Sequence, residues 1–314
     1  MDVYELWEAR QRGRFTLRHY VWAWVISARL FALPWCALYT CFGAVLAGVG
    51  NPAAVLGSVL VVVFILLASH FLNNYLDVLL GVDRFVDDPA EAERVASTLK
   101  PYTGAAWMVP LRITGIQFQR ANAYAMLALS AVTYVFLVPV SPATLAFFIL
   151  GVATAVLYTP FIKPRRLGEV AAFLGHGFST VTFGYLSQSQ DIAAAVLAGI
   201  PTGLISALAY SVDQFMDIRT DFVERVRAVY EAWFNSRMPL GLYVLVAVML
   251  FLNVLVAWVA AGIYPPGTLL ALALIPLIMY RAPALEYERE KAVRDLAALI
   301  TFLLPALMCL GCII

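Results

Sequence analysis

"VLVVVFILLASHFLNNYLDVLLGVD", residues 59–83, opens as one of the most apolar runs in the chain and closes on two Asn and two Asp. A charge held inside a bilayer costs about 3 kcal/mol. A polar cluster at the end of such a run is therefore expected to carry function. The surrounding composition matches the run. The chain has 314 residues, 62% hydrophobic and 13% charged, with a mean hydropathy of +0.83. A soluble domain is nearer half apolar and about a quarter charged. Apolar stretches of about 20 residues, enough to span a bilayer, recur along the whole length. This predicts an all-α, polytopic transmembrane bundle. A β-barrel would instead show short alternating strands. The net charge of +1 gives no bulk field for a nucleic-acid partner. The composition sets no oligomeric state.

The periodicity predicts about nine helices, near residues 22–48, 54–80, 119–139, 142–159, 167–188, 192–217, 238–263, 267–281 and 294–313. Pro and Gly mark the connections "GVGNP", "VPVSP" and "YPPG". All 21 Lys and Arg then fall on the side of the N-terminus. The positive-inside rule makes that side cytoplasmic, in the cell membrane, and an odd helix count puts the C-terminus outside. The long loops after the second and sixth helices, residues 81–119 and 218–237, are also cytoplasmic in this arrangement. The active site is expected there.

Residues 1–20 carry Val3, Leu6, Trp7, Phe15 and Leu17 among charges, and read as an interfacial amphipathic segment. Residues 21–314 read as a single transmembrane domain. No cleavable secretion signal is expected at the polar, Arg-rich start. The four Cys, at 36, 41, 309 and 312, have no partners that suggest a disulfide or metal framework.

Two acidic clusters stand out. In the first, His70, Asn73 and Asp77 share one helix face, and Gly81 can end the helix and turn Asp83 back toward it. In the second, "YSVDQFMDIRTD", Asp213, Asp217 and Asp221 are spaced by fours and form one stripe. Two carboxylates about 6 Å apart repel by roughly 3 kcal/mol at an effective dielectric of 20. A divalent cation relieves this, and Mg²⁺ favours a few carboxylates together with substrate phosphates. Two such stripes on one membrane face could hold Mg²⁺ ions and a diphosphate. Solvated helix ends are the alternative for Asp83, Asp87, Asp88 or Glu224 taken alone.

These residues resemble the UbiA superfamily of intramembrane prenyltransferases. Its first motif, N-D-x-x-D-x-x-x-D, is matched by Asn73 and Asp77. Asn74 stands in place of the first Asp, and Gly81 in place of the last. The resulting pattern N-x-Y-x-D-x-x-x-G-x-D is similar to the branch that prenylates naphthoquinone precursors in menaquinone and vitamin K biosynthesis. Asp213, Asp217 and Asp221 match the second motif. "SARLFALPWCALYTCFGAVLAG" and "YTPFIKPRRLGEVAAFLGHGF" resemble the first helix and the fourth-to-fifth connection. "FVERVRAVYEAWFNSRM" and "DDPAEAERVASTLKPY" depart from the usual pattern on the acceptor side.

The resemblance implies Mg²⁺-dependent transfer of an isoprenyl group from an allylic prenyl diphosphate to an aromatic acceptor. The prenyl tail would lie among membrane lipid. Its implied metal ligands are Asn73, Asp77, Asp213 and Asp217, then Asp83 and Asp221. Lys163, Arg165 and Arg225 would grip the diphosphate. Tyr75, Tyr158 and His70 would line the prenyl or acceptor pocket. His176, between Gly175 and Gly177, reads as packing, and Glu169 as complementing a helix dipole. Other readings are a prenyltransferase acting on 4-hydroxybenzoate, a tetrapyrrole or a glycerol phosphate lipid, and a cation-coupled transporter. A transporter expects its carboxylates near the bilayer midplane. A CDP-alcohol phosphotransferase would need a D-G-x-x-A-R signature that the chain lacks.

Overall fold

The computed structural model describes residues 1–99, 104–224, 240–286 and 289–314. The described residues are helical or in loops and turns, with no strand among them. Six helices are long and apolar enough to cross a membrane, at Pro52–Leu79, Pro142–Arg165, Ile192–Val212, Gly241–Ala260, Pro266–Leu285 and Ala292–Ile313. A bent pair, Leu17–Ala28 with Leu33–Leu46, would make a seventh.

Two further predicted segments are helical without meeting that criterion. Residues Ile116–Leu137 form one helix, but its first two turns carry Gln117, Gln119, Arg120 and Asn122. Between Gly168 and Leu186 a π-turn at Ala172–Phe178 separates two short helices. The first predicted helix, 22–48, is broken. Arg29 adopts a left-handed φ of 49°, and Pro34, which cannot donate a backbone hydrogen bond, sits in the first turn of the continuation.

The α-helices that matter below are α1 (Val3–Gln11), α2 (Leu17–Ala28), α3 (Leu33–Leu46), α4 (Pro52–Leu79), α5 (Pro89–Thr98), α6 (Ile116–Leu137), α7 (Pro142–Leu157), α8 (Gly168–Ala171), α9 (Ser179–Leu186) and α10 (Ile192–Glu224). Helix α4 starts with Pro52 in its first turn and with the Asn51 side chain accepting from the Ala54 amide at 3.1 Å. It stops at Gly81, whose φ of 72° suits a residue without Cβ. There the amides of Val82 and Asp83 both donate to the Asp77 carbonyl, at 2.8 and 2.9 Å.

Close approach of backbones builds the bundle. Helix α4 packs along α6, the π-turn packs on α10, and α3 packs on α9. At the α3–α9 crossing a Cβ on Gly43 would strike the Val181 carbonyl, and one on Gly184 would strike the Thr40 carbonyl. Without water to drive helices together in lipid, such small-residue contacts supply the packing.

The N-terminal segment, residues 1–20, packs partly on the chain itself. It is two helices, α1 and α2, separated at residues 12–16. Asp2 and Glu5 close a capping box on α1. Val3, Leu6 and Trp7 do not face outward. They are buried against Ala92 and Ala96 of α5 and against Met108, Leu111 and Ile113. Nine residues place only three apolar side chains on one side of α1, and the loop after α4 offers them an apolar seat. Leu17 and Val21 of α2, by contrast, are exposed.

Candidate active site

The final two turns of α4 point one face into the bundle, and its polar groups meet partners from two other segments. Asp77 is buried, with 4% of its side chain exposed. Its Oδ2 accepts from Lys163 Nζ at 3.0 Å and from Asn73 Nδ2 at 2.9 Å. Asn73 Nδ2 also donates to Thr159 Oγ1 at 3.1 Å, and Arg29 reaches Asn73 Oδ1 at 3.5 Å. Thr159 and Lys163 come from the turn after α7, where the helix passes into a π-turn at Tyr158–Ile162 and a 3₁₀ turn at Lys163–Arg165. Pro160 and Pro164 remove two amide donors there, which breaks the regular ladder and turns Lys163 inward.

Asp77 Oδ1 is buried and accepts no hydrogen bond. A buried polar oxygen left in this state calls for a partner beyond the described residues. The Lys163 ammonium is also close enough to Asp83 to feel its charge. Asp83 therefore belongs to the same electrostatic neighbourhood. Tyr158 lies beside Lys163, Asp77 and Arg29, and its hydroxyl meets that of Tyr210 on α10 at 2.9 Å. That contact ties the first cluster to the helix carrying the second.

Helix α10 runs unbroken to Glu224, beyond the predicted end at residue 217, so Asp213, Asp217 and Asp221 all lie on it. Asp213 and Asp217 share a helix face with Tyr210 by their spacing of three and seven. The side chains of these three Asp, and the whole of Arg225, lie outside the described residues. Among the described residues, no three His, Cys, Asp or Glu groups come together.

His70 is two turns below Asp77 on the same face, and its Nδ1 is 2.8 Å from the Ala28 carbonyl. A carbonyl can only accept, so Nδ1 carries the proton and Nε2 is the free acceptor. Two predicted residues sit elsewhere. Tyr75 points to the opposite side of α4, 200° around the helix from Asn73 and Asp77. It packs with Phe71, Leu72 and Ala123 of α6, near Tyr124. Arg165 is exposed, with its guanidinium 4.0 Å over the Phe161 ring and Nη1 bonded to the Phe161 carbonyl. The stacking holds it on its own turn, away from Asp77.

Asn74, which replaces the family's first Asp, leaves the site altogether. It donates to the Ser27 carbonyl at 3.3 Å and to Gln119 at 3.4 Å, joining α4 to α2 and α6. Three residues at the site escaped the sequence reading: Arg29, Thr159 and Tyr210. Arg29 had a signal, being the only charge in the apolar run of residues 20–50. Thr159 and Tyr210 had none, because a lone hydroxyl in an apolar helix is ordinary.

Comparison with solved structures gives a match along nearly the whole chain. The partner is described as a digeranylgeranylglyceryl phosphate synthase in membranes. The TM-score is 0.60, over 93% of this chain and 98% of that one, at 15% identity. The two chains share a fold. No protein-family profile matches this sequence. No curated protein matches it by sequence.

Proposed function

We propose that the chain is an intramembrane prenyltransferase. It would move an isoprenyl group from an allylic prenyl diphosphate to an acceptor and release diphosphate. The observation that carries this reading is the Asp77 carboxylate, held by Lys163 and Asn73 with one oxygen unpartnered, in a fold shared with a prenyl-transferring synthase. In this reading the bundle has nine spans, the N-terminus is cytoplasmic, the C-terminus lies outside, and the site faces the cytoplasm of the cell membrane.

The donor set suits Mg²⁺. Asp77 Oδ1 lacks a hydrogen bond and Asn73 Oδ1 has only a long one, so both offer hard oxygens. Asp83 would join them on this side, with Asp213, Asp217 and Asp221 on the other. Bound there, Mg²⁺ supplies Lewis-acid neutralisation of the diphosphate. The chain's own groups do the rest. Lys163 and Arg29 attract the diphosphate oxygens. Asn73 and Thr159 fix the angle of the Asp77 carboxylate. The Tyr158–Tyr210 pair, joined hydroxyl to hydroxyl at 2.9 Å, would supply aromatic rings to an allylic cation. The allylic C–O bond breaks with its electron pair leaving on diphosphate. An acceptor carbon or oxygen then bonds to the allylic carbon and gives up its proton to diphosphate or solvent.

The acceptor we favour is an aromatic naphthoquinone precursor, on the strength of the N-x-Y-x-D-x-x-x-G-x-D variant. A glycerol phosphate lipid is the second reading, favoured by the description of the synthase that shares the fold. The test is direct. Protein in nanodiscs is given Mg²⁺, a radiolabelled allylic diphosphate and each acceptor in turn. Prenylated naphthoate-type product with no lipid product supports the first reading, and the reverse supports the second. Neither product, with no diphosphate released, overturns both.

A further inference from the structure

Helix α2 ends inside the bundle, and α4 supplies what that end lacks. The last carbonyls of a helix have no partner within it. In a continuing helix the Ala32 amide would serve the Ala28 carbonyl. Here it donates to the Arg29 carbonyl instead, at 2.8 Å. The Ala28 carbonyl accepts from His70 Nδ1 at 2.8 Å, and the Ser27 carbonyl accepts from Asn74 Nδ2 at 3.3 Å. His70 and Asn74 are four residues apart on α4, so they share a face. Two side chains of α4 therefore cap α2 from outside.

The next residue after the cap is Arg29. Its backbone is left-handed, with φ 49° and ψ 51°, a conformation that strains a residue with a Cβ and that Gly takes freely. Held there, Arg29 brings its guanidinium to the site. Nη2 reaches Asn73 Oδ1 at 3.5 Å, and Nε is buried with no hydrogen-bond partner among the described residues. The Asn74 amide is itself oriented. Its Nδ2 also donates to Gln119 Oε1 at 3.4 Å, and Gln119 Nε2 donates to Ser27 Oγ at 2.9 Å and to Thr114 Oγ1 at 2.8 Å. Ser27, Asn74, Thr114 and Gln119 are all buried. Asn74 Nδ2 thus faces two acceptor oxygens. A carboxylate at position 74 would set oxygen against the Ser27 carbonyl, because an ionised carboxylate can only accept. This gives a physical reason for Asn where the N-D-x-x-D pattern has Asp.

We propose that His70 and Asn74 are positioning residues. By capping α2 they fix Arg29 beside Asn73, where its guanidinium holds a diphosphate oxygen. This rests on the prenyltransferase reading. Neither residue touches the substrate, and each acts on it through Arg29. Asn74 then serves the site without being a metal ligand. Restoring an acidic residue at position 74 harms diphosphate binding instead of improving it.

The test is equilibrium calorimetry on full-length protein in nanodiscs, with geranyl diphosphate as the probe at fixed Mg²⁺ and no acceptor. Arg29→Gly should weaken binding roughly tenfold, the loss of one charge-assisted hydrogen bond. Its thermal midpoint should hold, because Gly takes the left-handed conformation without strain. Asn74→Ala, Asn74→Asp and His70→Leu should each weaken binding about fivefold. His70→Asn keeps an N–H near the position of Nδ1 and should stay within about twofold of wild type. In an Arg29→Gly background, Asn74→Ala and His70→Leu should each change affinity by less than about twofold, a pattern that general damage to the fold would not give. The proposal is overturned if the losses add in that background, or if Arg29→Gly costs stability but not affinity. It is also overturned if Asn74→Asp binds the probe more tightly than wild type, or if His70→Asn is as weak as His70→Leu. Additive losses with prenyl transfer intact remove the positioning and leave the transferase. The expected binding pattern without transfer to any acceptor removes the transferase and leaves the positioning.

Discussion

Lys163 Nζ lies 3.0 Å from Asp77 Oδ2, joining two segments 86 residues apart across the interior of the bundle. Both side chains are mostly buried, at 17% and 4% exposure. Breaking one half of such a pair strands the other. Lys163→Met should destabilise the protein by about 3–5 kcal/mol. The double variant Lys163→Met with Asp77→Asn should recover much of that loss in thermal midpoint while remaining inactive. A double variant as unstable as the single would show that the pair is not a unit.

Asn73 and Tyr75 are neighbours in the motif but face opposite sides of α4. Asn73→Ala removes the donor that orients Asp77 and should lower kcat/KM about 100-fold. Tyr75→Phe touches only the α4–α6 packing and should stay within about twofold, because it deletes a hydroxyl outside the site. Initial rates at several diphosphate concentrations would separate them. Equal losses would place Tyr75 at the site after all.

Removal of divalent cations should abolish turnover, and added Mg²⁺ should restore it, because Asp77 Oδ1 has no partner among the described residues. Asp77→Asn should blunt the response, requiring about tenfold more Mg²⁺ for half-maximal rate, since a carboxylate donor becomes an amide. Full activity in EDTA would remove the metal from the reading.

The α3–α9 crossing leaves no room for a side chain. Gly184→Val places methyl groups against the Thr40 backbone, which cannot swing aside. The expected cost is about 3 kcal/mol, read as a lowered thermal midpoint. A neutral result would mean that the helices can separate freely.

At the N-terminus, Trp7 is 8% exposed against α5. Trp7→Ala should cost about 3 kcal/mol locally and open α1 to limited proteolysis before the bundle melts. Unchanged cleavage would return α1 to a role at the lipid surface.

What the residues determined unaided is the chemistry of membrane residence and helix ends. Apolar runs leave helices as the way to satisfy a backbone in lipid, so each predicted segment is mostly helical over its described residues, the first being broken at Arg29. The spacing of His70, Asn73 and Asp77 put them on one face, because the helical period is local geometry. The same period puts Tyr75 on the opposite face of α4 from Asn73 and Asp77, whereas Arg165 lies on a short turn where spacing gives no direction. Only the first has a tertiary neighbour: α6 lies against Tyr75, while Phe161, four residues back on the same turn, holds Arg165. The meeting of Asp77 with Lys163, Thr159 and Arg29 is equally a product of the fold, since partners so distant in sequence leave no periodic trace. The polar end of residues 59–83 announced a site. Only the packing of α4 against the turn after α7 supplied the cation that makes Asp77 tolerable there, and left its second oxygen open.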